Sequence, residues 1–133
     1  MTLPKLAITL GDVAGIGPEI VAKSLLGHDD LRRLCVPVVI GDQEAMCAGA
    51  KLAGGDPSAV RLLSDVDGAT NAPGTIELLQ TGPSLGGVPW GRISPVAGDA
   101  AYRFVVEACR LARAGQVDGI VTAPLNKAAL HAG

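Results

Sequence analysis

Two short apolar runs, Leu6 to Leu10 and Val36 to Ile40, each stop at a Gly-Asp pair and each hand over to a segment of helical periodicity. An apolar run of this length reads as a buried strand, and Gly-Asp as the tight turn that ends it. After the first run, Pro18 suits the opening position of a helix and Glu19 its first turn. Ile20, Val21, Ser24 and Leu25 then recur at helical spacing until Gly27. After the second, the pattern predicts a helix from Gln43 to Leu52, closed by Gly54-Gly55. A strand followed by a helix, twice over, points to βαβ units and a largely parallel sheet with flanking helices.

Val60 to Leu63 and Thr75 to Leu79 are weaker strand candidates, and the Gly- and Pro-rich stretch from Gln80 to Pro95 reads as a long irregular connection. A long helix is predicted from Gly98 to Ala114, ended by Gly115. Tyr102, Val105, Val106, Cys109 and Ala112 form its apolar stripe, while Arg103, Glu107 and Arg110 fall on the outer face. Asp99 and Tyr102 are expected to tie the start of this helix to the strand loops beside it. Gly119 to Ala123 follows as a buried strand, and Leu125 to Ala132 begins another helix. A chain that stops a turn or two into a helix is expected to be the N-terminal α/β portion, residues 1–133, of a larger two-domain subunit.

Composition narrows the packing and removes several function classes. Of 133 residues 48% are apolar, yet there is one Phe, one Trp and one Tyr, so the core must be aliphatic and alanine-rich. Eighteen glycines suit close helix-to-sheet packing. A formal charge of −2, with acids and bases interspersed, provides neither the basic stripe nor the stacking aromatics of nucleic-acid binding. No apolar run approaches the roughly 20 residues of a membrane span. The N-terminus lacks a signal peptide's layout, because Asp12 and the glycines interrupt it. Cys35, Cys47 and Cys109 form no C-x-x-C pair and are expected to be free, buried thiols in a reducing cytoplasm.

The densest motif is Gly11-Asp12-Val13-Ala14-Gly15-Ile16-Gly17-Pro18-Glu19, placed where a strand becomes a helix. Gly15 and Gly17 permit positive φ or close approach of another backbone. The G-x-x-x-G-x-G spacing is not that of a dinucleotide fingerprint, and no phosphate-loop lysine follows. Pro18 removes an amide that an anion cradle would use, and the Glu19 carboxylate would repel a pyrophosphate there. The loop therefore reads as a structural corner, with Asp12 expected to bond the turn amides of its own loop, the alternative being direct contact with ligand.

Three segments in order carry a family resemblance: Thr9 to Asp12 with Ala14 to Glu19; Ala97-Gly98-Asp99-Ala100-Ala101-Tyr102; and Thr122-Ala123-Pro124-Leu125-Asn126-Lys127 with Ala129-Leu130-His131 and Gly133. Together they resemble the 4-hydroxythreonine-4-phosphate dehydrogenase family, and more remotely the isocitrate and isopropylmalate dehydrogenases. Val13 stands where the family usually has proline, which alters loop stiffness. The resemblance implies a cytoplasmic homodimer that oxidises a phosphorylated four-carbon hydroxy acid with NAD or NADP and a divalent metal (Zn, Mg or Co). It places the metal's histidine ligands and a G-H-T substrate motif after Gly133. The implied substrate is 4-phosphohydroxy-L-threonine of vitamin B6 biosynthesis, with decarboxylation of the 3-keto product. D-threonate or D-erythronate 4-phosphate, or an aromatic cis-dihydrodiol, are the alternatives within the family. An alternative of another class is an inactive or stand-alone ligand-binding or assembly module.

Asn126 and Lys127 are the candidate substrate-binding residues. They sit at the C-terminal end of a predicted parallel strand, where ligands of open α/β sheets collect. Asn126 can donate and accept, and Lys127 can balance a phosphate. The structural alternative is that Asn126 caps the next helix and Lys127 is a solvated first-turn residue. His28 beside Asp29 and Asp30 reads as a solvated residue after a helix end, and His131 lies one turn beyond Lys127. Neither has a partner at metal-ligand spacing, so these residues offer no metal site and no catalytic residue.

Overall fold

A computed structural model describes residues 2–133. Five strands form one sheet: β1 (Lys5–Thr9), β2 (Val36–Gly41), β3 (Val60–Leu63), β4 (Ile76–Gln80) and β5 (Gly119–Thr122). Four α-helices flank it: α1 (Gly17–Gly27), α2 (Gln43–Leu52), α3 (Pro95–Arg113) and α4 (Lys127–Ala132). All strand pairs are parallel, in the order β3-β4-β2-β1-β5. The α/β class and the parallel sheet expected from the repeated strand-helix pattern are what the structure has.

The chain moves from β1 to β2 through α1, and from β4 to β5 through α3, in opposite directions across the sheet. Right-handed crossovers then put α1 and α3 on opposite faces. α1 packs on α2, while α3 packs on α4 and lies over β1, β2 and β5. Ala7, Leu10, Val38, Val39, Ile40, Met46, Ile76, Leu78 and Phe104 are fully buried between the layers. Burying each of the larger side chains contributes on the order of 1.5–3 kcal/mol.

Local sequence explains each helix start. Pro18 opens α1, and Glu19 pairs with Lys23 one turn on at 2.7 Å. Asp42 caps α2, accepting from the Ala45 amide at 2.9 Å. α3 begins at Pro95, earlier than the Gly98 expected from periodicity, because Ser94 caps it and accepts from the Ala97 amide at 3.2 Å.

Packing overturns four expectations. The face of α3 that enters the core is Ala97, Ala101, Phe104, Ala108 and Leu111, whereas Tyr102 is 59% exposed and Val106 and Cys109 are exposed too. Alanines let the helix axis approach the sheet, and Phe104 fills the space that this leaves. Asp99 and Tyr102 therefore do not tie the helix start to the strand loops. Tyr102 faces outward, and Asp99 pairs with Arg103 at 2.8 Å. β5 is an edge strand with Ile120 and Val121 exposed, not a buried one. Finally, Cys35 and Cys47 are only half-buried and Cys109 is exposed.

A buried carboxylate holds the far edge of the sheet. Glu77 on β4 is ion-paired with Arg61 of β3 and accepts from the Thr70 and Asn71 amides at 2.8–3.0 Å. Its charge is thus fully partnered, as burial demands.

Candidate functional site

In a parallel sheet of this order, the chain reverses direction beside β1, so the crevice between the C-terminal ends of β1 and β5 is the topological switch point. Ligands of open α/β sheets bind there. The loop after β1 carries the glycine motif, and Thr122 to Lys127 runs from the end of β5 through its loop to the start of α4. The fold brings these two together from opposite ends of the chain.

They meet through backbone. The Asp12 amide donates to the Pro124 carbonyl at 3.1 Å, and the Ala123 amide donates to the Thr9 carbonyl at 3.0 Å. Gly11 has φ +72°, and a Cβ there would stand 2.5 Å from the Pro124 oxygen. Only glycine tolerates both the left-handed conformation and the neighbouring carbonyl. Gly17 has ordinary φ, but a Cβ would overlap the Leu10 carbonyl, so it lets α1 start close against the end of β1. Gly15 has neither constraint, since its Cβ would meet only Asp12 atoms at ordinary contact distance, 3.5 Å and beyond.

Asp12 is 6% exposed, and its Oδ1 accepts from the Ala14 amide at 2.9 Å, closing an Asx turn. The carboxylate is thereby committed to its own loop. Pro18 is buried at the start of α1, and Glu19 is engaged with Lys23. Gly11 to Glu19 therefore builds a tight corner between β1 and α1.

Asn126 caps α4 through Oδ1, which accepts from the Ala129 amide at 3.0 Å. That leaves its amide nitrogen as the group able to donate outward. Lys127 is exposed at the first position of α4. The third motif arrives by helix packing: a Cβ on Gly98 would overlap the Ala129 carbonyl, so α3 and α4 touch backbone to backbone. Gly98 thus holds the short helix that carries Lys127.

One anchoring arrangement beside the candidate site escaped the sequence reading. Asp42, buried at the end of β2, accepts from Gln80 Nε2 at 2.8 Å and from the Leu85 amide at 3.2 Å, besides capping α2. Ser84 donates to Glu44, and the Gly91 amide donates to the Ala14 carbonyl at 2.8 Å. The connection from Thr81 to Ser94 is therefore anchored along the C-terminal edge of the sheet and on the glycine corner. The repeated Gly-Asp after β1 and β2 was the available signal, since Asp12 organises the loop after β1 and Asp42 caps the helix after β2.

His28 and His131 are both exposed. Among the described residues, no group of three His, Cys, Asp or Glu side chains could hold a metal ion, and no helix is long and apolar enough to cross a membrane.

Fold and site together define a doubly wound parallel α/β protein with its candidate site at the β1–β5 switch point. Comparison with known proteins makes the assignment narrower. The chain belongs to the family of the pyridoxal phosphate biosynthetic protein PdxA, whose model matches residues 33–133. It is 57% identical to a D-threonate 4-phosphate dehydrogenase of Bordetella bronchiseptica, over 97% of this chain and 37% of that protein. A D-threonate 4-phosphate dehydrogenase of Cupriavidus necator is 45% identical over 98% of this chain and 39% of its own length. The crystal structure of a 4-hydroxythreonine-4-phosphate dehydrogenase from Burkholderia phymatum superposes with TM-score 0.93 at 41% identity. That match covers all of this chain and 40% of the other. The chain thus spans about 40% of the length of the relatives it matches.

Proposed function

We propose that this chain is the N-terminal portion of a dehydrogenase that oxidises one of the two secondary alcohols of D-threonate 4-phosphate to a ketone. The observation that carries the substrate choice is the 57% identity to a D-threonate 4-phosphate dehydrogenase, against 43% to a 4-hydroxythreonine-4-phosphate dehydrogenase of Beijerinckia indica. The two substrates share a four-carbon acid phosphate, so 4-phosphohydroxy-L-threonine is the second reading.

Removing a hydride from the alcohol carbon needs a two-electron acceptor, NAD or NADP in this reading, and a divalent cation would polarise the alcohol and carboxylate oxygens. The described residues do not fit that cation, for want of a ligand cluster, and the glycine corner does not fit a pyrophosphate. No step of the reaction is therefore assigned to them. Lys127 is the residue of this chain to which we assign substrate contact, as counter-charge to the phosphate. Asn126 sets its position by capping α4 and can donate to a phosphate oxygen through its amide nitrogen. A homodimeric, cytoplasmic enzyme is part of the same reading.

The test is NAD(P)H formation by a longer protein carrying these residues, offered D-threonate 4-phosphate and 4-phosphohydroxy-L-threonine in parallel. A higher kcat/KM for the first is expected; the reverse order would move the protein to the second reading. Lys127→Met should raise KM for the phosphorylated acid by roughly 10- to 100-fold with kcat changed less, since a hydrogen bond to a charged group is worth about 1.5–3 kcal/mol. Lys127→Arg should restore most of the loss. An unchanged KM would leave Lys127 a solvated helix residue.

A further inference from the structure

Two segments leave the glycine corner side by side, and each carries a cation. The Gly91 amide donates to the Ala14 carbonyl at 2.8 Å, and the Asp12 amide donates to the Pro124 carbonyl at 3.1 Å, so residues 91–95 and α4 both set out from this corner. They meet again at their far ends, where a Cβ on Gly133 would stand 2.7 Å from the Pro95 carbonyl oxygen. Six residues of helix span only about 9 Å, so Arg92 is held beside α4 at the end that begins with Lys127. Gly91, at φ +72° with open space where a Cβ would be, makes the turn that sets Arg92 there.

Arg92 and Lys127 are both exposed, and neither forms an ion pair among the described residues. The carboxylates of the neighbouring elements are engaged elsewhere: Asp12 by the Ala14 amide, Glu19 by Lys23, Glu44 by Ser84 and Asp99 by Arg103. Two like charges on adjoining backbones repel, and an anion within reach of both relieves that repulsion. A phosphate monoester carries about −1.5 to −2 charge at pH 7, more than Lys127 alone balances, and the planar fork of an arginine fits two of its oxygens. We propose that Arg92 and Lys127 together form a phosphate-monoester site, in which Arg92 is a specificity-determining residue for the phosphorylated acid. The inference rests on the reading of Lys127 as counter-charge to that phosphate. A 2′-phosphate on the nicotinamide cofactor is the other source of such a group, and the test separates the two.

The test uses the longer protein carrying these residues. Arg92→Met should raise KM for D-threonate 4-phosphate roughly 10- to 100-fold with kcat changed less, while Tm stays within about 1–2 °C. Arg92→Lys should recover only part of the loss, because an ammonium group cannot pair two oxygens in a plane. A rise confined to the KM for NADP, with that for the acid unchanged, would overturn the assignment to the acid and place the cofactor's phosphate there. A KM for the acid that rises in Lys127→Met but not in Arg92→Met would overturn this inference and leave the reading of Lys127 standing. Should the protein turn over neither acid, the substrate reading falls, and equilibrium dialysis of inorganic phosphate decides the site without turnover. Arg92→Met and Lys127→Met should then each weaken phosphate binding by about tenfold or more. Equal binding by Arg92→Met and the unsubstituted protein, or none by either, would overturn the site.

Discussion

The amide of Asp12 donates to the carbonyl of Pro124 across 3.1 Å, and this bond ties the loop after the first strand to the loop after the last. It joins the two loops through backbone at the switch point, next to the start of the helix that carries Lys127. Gly11 makes the approach possible, and Gly17 brings α1 in behind it.

Three alanine substitutions separate these glycine roles. Gly11→Ala forces a left-handed alanine against the Pro124 oxygen, and Gly17→Ala drives a methyl into the Leu10 carbonyl. Each is expected to destabilise by about 2–4 kcal/mol, from backbone strain and overpacking. Gly15→Ala meets neither obstacle and should be neutral or slightly stabilising. Urea unfolding of the three variants checks the order, and a costly Gly15→Ala would contradict the corner described here.

Gly98→Ala should act at a distance from its own helix. The added methyl would overlap the Ala129 carbonyl, so α4 must move away from α3. A helix of six residues cannot survive in water without its packing. Amide exchange in residues 127–132 is therefore expected to rise at least about tenfold, while the sheet exchanges much as before. Uniformly faster exchange across the sheet would show instead that the substitution unfolds the whole domain.

Two aspartates with similar local bonds should differ sharply. Asp42 caps α2 and also holds Gln80 and Leu85, whereas Asp56 is engaged by Ser58 alone, at the surface. Asp42→Ala is expected to cost about 2–3 kcal/mol and to speed proteolysis within residues 81–94. Asp56→Ala should change thermal stability little at neutral pH. The Ser58 amide holds the Asp56 carboxyl below its usual range, so that small contribution exists above the unfolded carboxylate pKa and disappears as pH falls through the folded one.

The cysteines should label in a set order. Burial pushes the Cys35 thiol up against a smaller pull from Arg32, and burial with Asp42 and Glu44 pushes up the Cys47 thiol. Thiolate is the reactive form, so both should lag exposed Cys109 by about tenfold or more at neutral pH. Their rates should climb with pH through midpoints above that of an ordinary thiol. Peptide-resolved alkylation measures this, and Cys35 reacting as fast as Cys109 would refute it.

The strand-helix order was legible in the sequence because its causes are local: short apolar runs, Gly-Asp turns, and proline or aspartate at helix starts. The glycine corner was legible for the same reason, since Pro18 and Glu19 act within one turn of helix. The three separate motifs carried the family resemblance, but nothing local shows that Asp12 meets Pro124 or that Gly98 meets Ala129. Tertiary structure alone decided which stripe of α3 went inside. Tyr102, Val105, Val106 and Cys109 are as apolar in pattern as Ala97, Ala101, Phe104, Ala108 and Leu111. The second set won because its alanines allow close approach to a sheet whose own valines and leucines already fill the layer. Likewise β5 has the composition of a buried strand, and only its place at the end of the order β3-β4-β2-β1-β5 leaves Ile120 and Val121 exposed. Periodicity shows that a face is apolar; what covers that face is set by residues distant in the chain.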